Sequence, residues 1–397
     1  MTNFDEKLIK KIETPFYTFD IDILHQRIAY LQSLLPKHVR LCYAMKANPF
    51  VVEKISDVIK KYEICSYGEY KIAEELGIDY SNMVISGVYK DKESMEYIIK
   101  NYKHGEVITI ESLNQIKLVD DITKRKKVVV DVILRLTSGN QFGMTEEEIE
   151  KILESRFNYN FLNIMGIQYF SGTQKQIVKR LEKEINYLDN FVDHLRNDLG
   201  YIVEELEFGP GFPVVYFECD KEFNEDEYLK DVFNLLSNMK YQGRITVELG
   251  RSIVACSGKY YTKVVDVKTN KEGNFAILDG GMNHLVYYGQ MMAMKKPKLE
   301  IISSAKNSAT EEWNLCGSLC TINDLIVKKL STKQLKIGDV FIFKNTGAYS
   351  MTEGISLFLS RDLPKVVFVQ NGNYEIVRKN FKTYKLNMPI KGGDING

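Results

Sequence analysis

Eight short runs rich in β-branched and aromatic residues recur between positions 40 and 250. They cover 40–48, 62–69, 82–88, 106–112, 127–136, 162–172, 203–211 and 244–250. The segments between them carry the apolar spacing of helices. Val51, Val52, Ile55, Val58 and Ile59, for example, fall on one helical face and predict a helix after the first run. Strand then helix, repeated eight times, is the order of a (β/α)8 barrel. An open doubly wound sheet is the alternative, but it requires no such regular set of eight. After Arg251 the pattern changes. Runs at 260–267, 275–279, 340–344, 365–369 and 374–379 follow one another without long helices, and Asn371-Gly372-Asn373 supplies a turn signal. These predict an antiparallel β domain, with the strand-like segment 15–19 available to pair into it. The reading is an α/β chain with a TIM barrel over 25–255 and a β-sheet domain built from 1–24 and 256–397. The tail 391–397 reads as a loose end.

Composition narrows the functional classes. A chain of 397 residues with 44% hydrophobic residues can bury a sizeable core, so wholesale disorder is excluded. Fifty-three basic residues balance 53 acidic ones, which disfavours nucleic acid as a partner. The six cysteines are scattered without a CxxC, so neither a disulfide scaffold nor a zinc site is expected; Cys316 and Cys320 lack a second pair and a nearby histidine. No apolar signal region opens the chain, and no run of about 18 uncharged apolar residues suits a membrane span. Reduced thiols in a cytoplasmic protein are the expectation.

In a barrel, chemistry gathers at the C-terminal ends of the strands. The first strand ends Tyr43-Ala44-Met45-Lys46-Ala47-Asn48. A lysine inside an apolar run favours a neutral amine, the form that Schiff-base chemistry needs, unless it snorkels out of the barrel mouth. The sixth, seventh and eighth strands end Ser171-Gly172-Thr173-Gln174, Gly209-Pro210-Gly211-Phe212 and Glu248-Leu249-Gly250-Arg251. Small residues let backbone N–H groups approach an anion, Arg251 adds charge, and this side of a barrel is a common phosphate site. Phosphate and a reactive lysine together suggest pyridoxal 5'-phosphate (PLP). Glu248 then suits the pyridinium nitrogen, an ion pair with Arg251 being the alternative.

These motifs occur in order with Ser66-Tyr67-Gly68-Glu69, Asp279-Gly280-Gly281-Met282, Gly317-Ser318-Leu319-Cys320 and Gly347-Ala348-Tyr349. The set, spanning roughly residues 12–380, resembles the alanine-racemase-like (fold type III) PLP enzymes, in the branch of diaminopimelate, ornithine and arginine decarboxylases. Gln141-Phe142-Gly143-Met144, residues 170–174, 213–217 and Leu319-Cys320-Thr321 resemble the butirosin-type subgroup, which acts on glutamate tethered to an acyl carrier protein.

The resemblance implies a role for each matching position. Lys46 holds PLP covalently, Glu248 pairs with the ring nitrogen, and Gly172, Thr173, Gly209, Gly211, Arg251 and Tyr349 surround the phosphate. Cys320, contributed by the partner in a homodimer with shared sites, protonates the carbanion left by CO2. The family's ring-stacking histidine is replaced by Phe170, which still stacks but carries no charge. Pro210 and Leu249 also depart from the pattern. Thr321 stands where many amine-recognising relatives have an acidic residue, with Asp324 three positions on, so both are candidate substrate residues. Residues 287–292 contain no arginine for a distal carboxylate. Basic stretches at 124–127 and Lys295-Lys296-Pro297-Lys298 suit an acidic carrier protein or a solvated surface. The resemblance implies decarboxylation of an amino acid, free or carrier-linked. The alternatives are a diaminopimelate decarboxylase and an inactive, partner-binding homologue; the retained Lys46, Glu248, Arg251, Cys320 and Tyr349 weigh against the latter.

Overall fold

The computed structural model describes residues 3–290, 292–303 and 309–389. Met291 and the tail 391–397, both part of segments singled out above, lie outside the described residues. The chain divides into two compact units, one of residues 25–214 and 222–253, the other of residues 1–24, 215–221 and 254–397.

The first unit is the barrel. Strand β1 (Phe16–Asp20) belongs to the other unit. The barrel strands are β2 (Val39–Ala44), β3 (Tyr62–Ile64), β4 (Met83–Ile85), β5 (Val107–Ile110), β6 (Val130–Leu136), β7 (Leu162–Phe170), β8 (Glu205–Gly209) and β9 (Arg244–Leu249). Each pairs in parallel with the next, and β9 returns to β2 with Cys42 opposite Glu248. All eight predicted runs are strands, because parallel strands covered on both faces read as continuous buried runs. Every residue of β6 and β8 is buried.

Side-chain caps fix where several strand-end loops give way to a helix. Ser66, Asp91, Ser112 and Thr145 accept from the backbone N–H of Glu69, Ser94, Gln115 and Glu148. Each cap contributes about 1 kcal/mol. The helix expected after the first strand is absent. Two 3-10 turns, Pro49–Val51 and Glu53–Ile55, replace it, with the Asn48 side chain capping Phe50 N. The β-branched pair Val51-Val52 and the early proline favour this tighter, broken form, while Val51, Val52, Ile55 and Ile59 stay buried.

The second unit is a nine-stranded sheet. Its strands are β1, β10 (Gly258–Asn270), β11 (Gly273–Leu278), β12 (Leu299–Ile302), β13 (Thr310–Cys316), β14 (Leu325–Lys333), β15 (Val340–Lys344), β16 (Lys365–Gln370) and β17 (Asn373–Arg378). The main path runs β14-β13-β11-β10-β1-β16-β17, with β15 joining β10 to β12. The segment 15–19 does enter this sheet, antiparallel to β10 and parallel to β16. Most other ladders are antiparallel; β11 with β13 is parallel. Strands β12, β13 and β14 were not foreseen from sequence. Phe16 stacks on Tyr261 at 4.4 Å inside a core that includes Leu8, Ile342 and Val367. Residues 215–221, within the barrel segment on sequence grounds, pack with the sheet unit instead. Phe217 bridges to Pro297, and the rings of Tyr216 and Phe217 meet Tyr287 at 5.5 and 5.8 Å. No helix among the described residues is long and apolar enough to cross a membrane.

Candidate active site

At the C-terminal rim of the barrel, Lys46 sits just beyond β2. The strand ends at Ala44, and a 3-10 turn buries Met45 and Ala47 while turning Lys46 outward. The expectation of a lysine inside an apolar strand is therefore corrected: its side chain is 42% exposed and ion-paired. Nζ donates to Glu63 Oε2 at 2.7 Å and Oε1 at 2.9 Å, and lies 3.4 Å from Cys65 Sγ. Cys65 donates to Glu63 Oε1 at 3.1 Å. Burial, and then the Glu63 charge, pushes the Cys65 thiol up, so it stays protonated.

Glu63 meets Glu248 inside the barrel, and the two carboxyls are hydrogen-bonded. Burial alone would raise Glu63. The Lys46 ammonium and the hydrogen bonds from Glu248 and Lys46 override it and hold Glu63 below the usual carboxylate range. Burial, with the neighbouring Glu63 charge, pushes Glu248 well up, so this is a carboxylate paired with a carboxylic acid. Gln168 Nε2 donates to Glu248 Oε2 at 3.2 Å. Glu248 is thus held by Glu63 and Gln168. Next to it Glu207, fully buried, has no hydrogen-bond partner on either oxygen among the described residues. Burial, then Glu205 and Glu63, pushes it up to about 8.

The β7, β8 and β9 ends form a cradle. Gly172 and Gly211 have φ of +120° and +64°. A Cβ on Gly211 would stand 2.0 Å from the Gly172 carbonyl oxygen, and one on Gly209 would stand 2.4 Å from the Phe170 ring. Both glycines are therefore required by close approach. Arg251 Nε reaches Thr173 Oγ1 at 3.4 Å. Gln174 locks the two loops together: its Nε2 donates to Val214 O at 3.0 Å and its Oε1 accepts from Val214 N at 2.6 Å. Lys175 N donates to Gly211 O at 3.1 Å. Phe170, Gly172, Thr173, Gly209, Gly211, Glu248 and Arg251 are thus gathered on neighbouring strand ends, as the sequence predicted.

Glu63, Gln168 and Lys90 escaped the sequence reading. Lys90 donates to the Ser86 and Gly87 carbonyls at 2.8 and 2.7 Å, and burial pushes its amine down to about 8. A carboxylate in the middle of the fully buried Tyr62–Ile64 strand was the available signal for Glu63.

In the sheet unit, Cys320 is exposed at the end of Gly317-Ser318-Leu319-Cys320. Asp324 is buried, accepting from Met282 N and Leu319 N at 2.8 Å each. A Cβ on Gly281 or Gly317 would stand 2.5 or 2.2 Å from its carboxylate oxygens. Asp324 therefore braces the Cys320 loop. Thr321 is half-buried, and its Oγ1 accepts from Asn323 N at 3.3 Å. Tyr349 follows Gly347 and Ala348 with φ +63°. Within the basic stretches, Lys124, Arg125, Lys295 and Lys296 pair with Asp120, Glu96, Asp220 and Glu218. Among the described residues no group of three or more His, Cys, Asp or Glu side chains forms a candidate metal centre.

The barrel residues suit a phosphorylated pyridine aldehyde. They offer one reachable amine, a buried carboxyl pair with a proton available for a ring nitrogen, a glycine cradle that a Cβ would fill, and a guanidinium beside it.

Residues 21–255 match the family described as "Pyridoxal-dependent decarboxylase, pyridoxal binding domain". Among curated relatives, the L-glutamyl-[BtrI acyl-carrier protein] decarboxylase of Niallia circulans is 24% identical, over 94% of this chain and 92% of its own length. The 2-[(L-alanin-3-ylcarbamoyl)methyl]-2-hydroxybutanedioate decarboxylase of Staphylococcus aureus is 24% identical, over 89% and 93%. The fold is that of Helicobacter pylori diaminopimelate decarboxylase, solved with L-lysine, at a TM-score of 0.84 and 22% identity, covering 96% of this chain and 98% of that one. With more than half of its length matched by the family, this chain belongs to the pyridoxal-dependent decarboxylases and is a PLP-dependent amino-acid decarboxylase.

Proposed function

We propose that the substrate is an amino acid whose far end is neutral or joined to a carrier protein, of the glutamyl-acyl-carrier-protein kind. The observation that carries this reading is Asp324. It is the single acidic residue in 317–325, and both its oxygens are committed to backbone amides. Thr321 brings no charge. The Cys320 loop therefore offers no available carboxylate to a distal ammonium, and a site without such a partner gains nothing from one. The name of the Niallia relative supports the carrier-linked form.

In this reading Lys46 is the covalent anchor, Glu248 faces the ring nitrogen, and Gly172, Thr173, Gly209, Gly211, Arg251 and Tyr349 hold the phosphate. Bound there, PLP supplies the electron sink that loss of CO2 requires. Glu63 holds the Lys46 proton at Nζ, and Phe170 supplies an apolar face that excludes water. Cys320, from a second copy of the chain in a homodimer, gives a proton to Cα after CO2 has left.

The test is CO2 release from a panel of free and carrier-loaded amino acids under one condition, with borohydride reduction locating the cofactor. Turnover of glutamyl carrier protein above that of meso-diaminopimelate and L-ornithine is expected, with the label on Lys46. Efficient turnover of meso-diaminopimelate and none of the tethered glutamate would instead establish a diaminopimelate decarboxylase, the activity named for several relatives.

A further inference from the structure

Gln168 lies toward the C-terminal end of β7 with 1% of its surface exposed. Its Nε2 is 3.2 Å from Glu248 Oε2 and 3.4 Å from Ser86 Oγ, and Ser86 Oγ is 3.4 Å from Thr109 Oγ1. Its Oε1 is buried without a hydrogen-bond partner among the described residues. The amide therefore stands between the β4 and β9 ends with a fixed donor toward Glu248 and a spare acceptor beside it. A carboxyl has two interchangeable oxygens, and a donor fixed on Oε2 tells them apart.

We propose that Gln168 is a positioning residue for Glu248: its amide N–H holds Oε2, fixes the rotation of that carboxyl, and so aims Glu248 at the ring nitrogen of PLP. The residues form one series: Lys46 donates to Glu63, Glu63 neighbours Glu248, and Gln168 donates to Glu248. Gln168 touches neither the amine nor the cradle and acts through Glu248 alone. The inference rests on the reading that Glu248 faces the ring nitrogen.

The experiment compares Gln168→His, Gln168→Met and Gln168→Glu with the wild type and with Glu248→Gln. The readouts are cofactor affinity by fluorescence titration of the apoprotein and the pH profile of the visible absorption of the loaded protein. Methionine keeps the bulk but loses the donor, so cofactor binding weakens roughly tenfold, the worth of one hydrogen bond to an ionisable group, and the pH profile shifts. Glutamate replaces the donor with an acceptor beside Glu248 and does more harm than methionine. Histidine restores an N–H and recovers most of the affinity. Packing alone would not give the order His, Met, Glu. Should Gln168→Glu fail to fold, the comparison of Met with His carries the test. Equal affinity and an unshifted pH profile across the folded variants overturn the proposal. If Glu248→Gln also leaves affinity and spectrum unchanged, the underlying reading of Glu248 fails; if it perturbs them while the Gln168 variants do not, only the inference on Gln168 fails.

Discussion

Glu207→Gln should stabilise the protein increasingly as pH rises above about 4.5, up to about pH 8. Glu207 is fully buried in the barrel, with neither oxygen hydrogen-bonded among the described residues. Burial, Glu205 and Glu63 push it up to about 8 from 4.5, with Lys61 and Arg40 opposing. Between those values the folded chain holds a proton that the unfolded chain has released. Wild-type stability therefore falls as pH rises from about 4.5 to about 8. At about 1.36 kcal/mol per pH unit, the shift gives a ceiling of about 5 kcal/mol. Relaxation of the barrel around the ionised carboxylate brings the observed gain below that ceiling. Glutamine keeps the shape and has no proton to lose. Urea unfolding of the apoproteins, followed by circular dichroism from pH 4.5 to 9, should show the two curves together at the acid end. The variant should then gain steadily and level off above about pH 8. A difference that stays constant across the range would mean that Glu207 is already ionised in the fold, and the reasoning would be refuted.

Gly211→Ala should weaken cofactor binding by about an order of magnitude and cost about 1–3 kcal/mol of stability, because φ is +64° and the new Cβ meets the Gly172 carbonyl. Cofactor titration and a thermal melt check it, and wild-type values in both would sink it. Mixing inactive Lys46→Ala with inactive Cys320→Ala should recover up to about a quarter of wild-type activity, since half of randomly paired dimers hold one intact site of two. No recovery after verified subunit exchange would exclude a shared site.

The barrel was readable because its strands are mostly buried on both faces. Strands β13 and β14 were not: Glu311, Glu312, Lys328 and Lys329 interrupt them, as half-solvated strands allow. The position of Lys46 could be read, but its surroundings could not, since a 3-10 turn separates the direction of a side chain from that of its apolar neighbours. Asp324 drew notice through its distance from Cys320 in sequence. Its partner amide at Met282 lies 42 residues away and becomes visible only in three dimensions. Glu63 and Gln168 gain meaning from strand register across the barrel, which no single segment encodes.

Strand β1 has its neighbours far along the chain. Phe16 pairs with Tyr261 on one side and with Lys365 on the other, 349 residues later by subtraction of the two positions. At ~5–20 residues added per second, the ribosome takes about 20–70 s to supply that second neighbour. Throughout the wait, Phe16, Tyr17 and Phe19 stand on a strand with an open edge, the kind of surface that pairs with the wrong chain. The barrel sequence leaves the tunnel long before that edge is filled. A gene rearranged to place residues 1–24 after the last strand should shorten that interval.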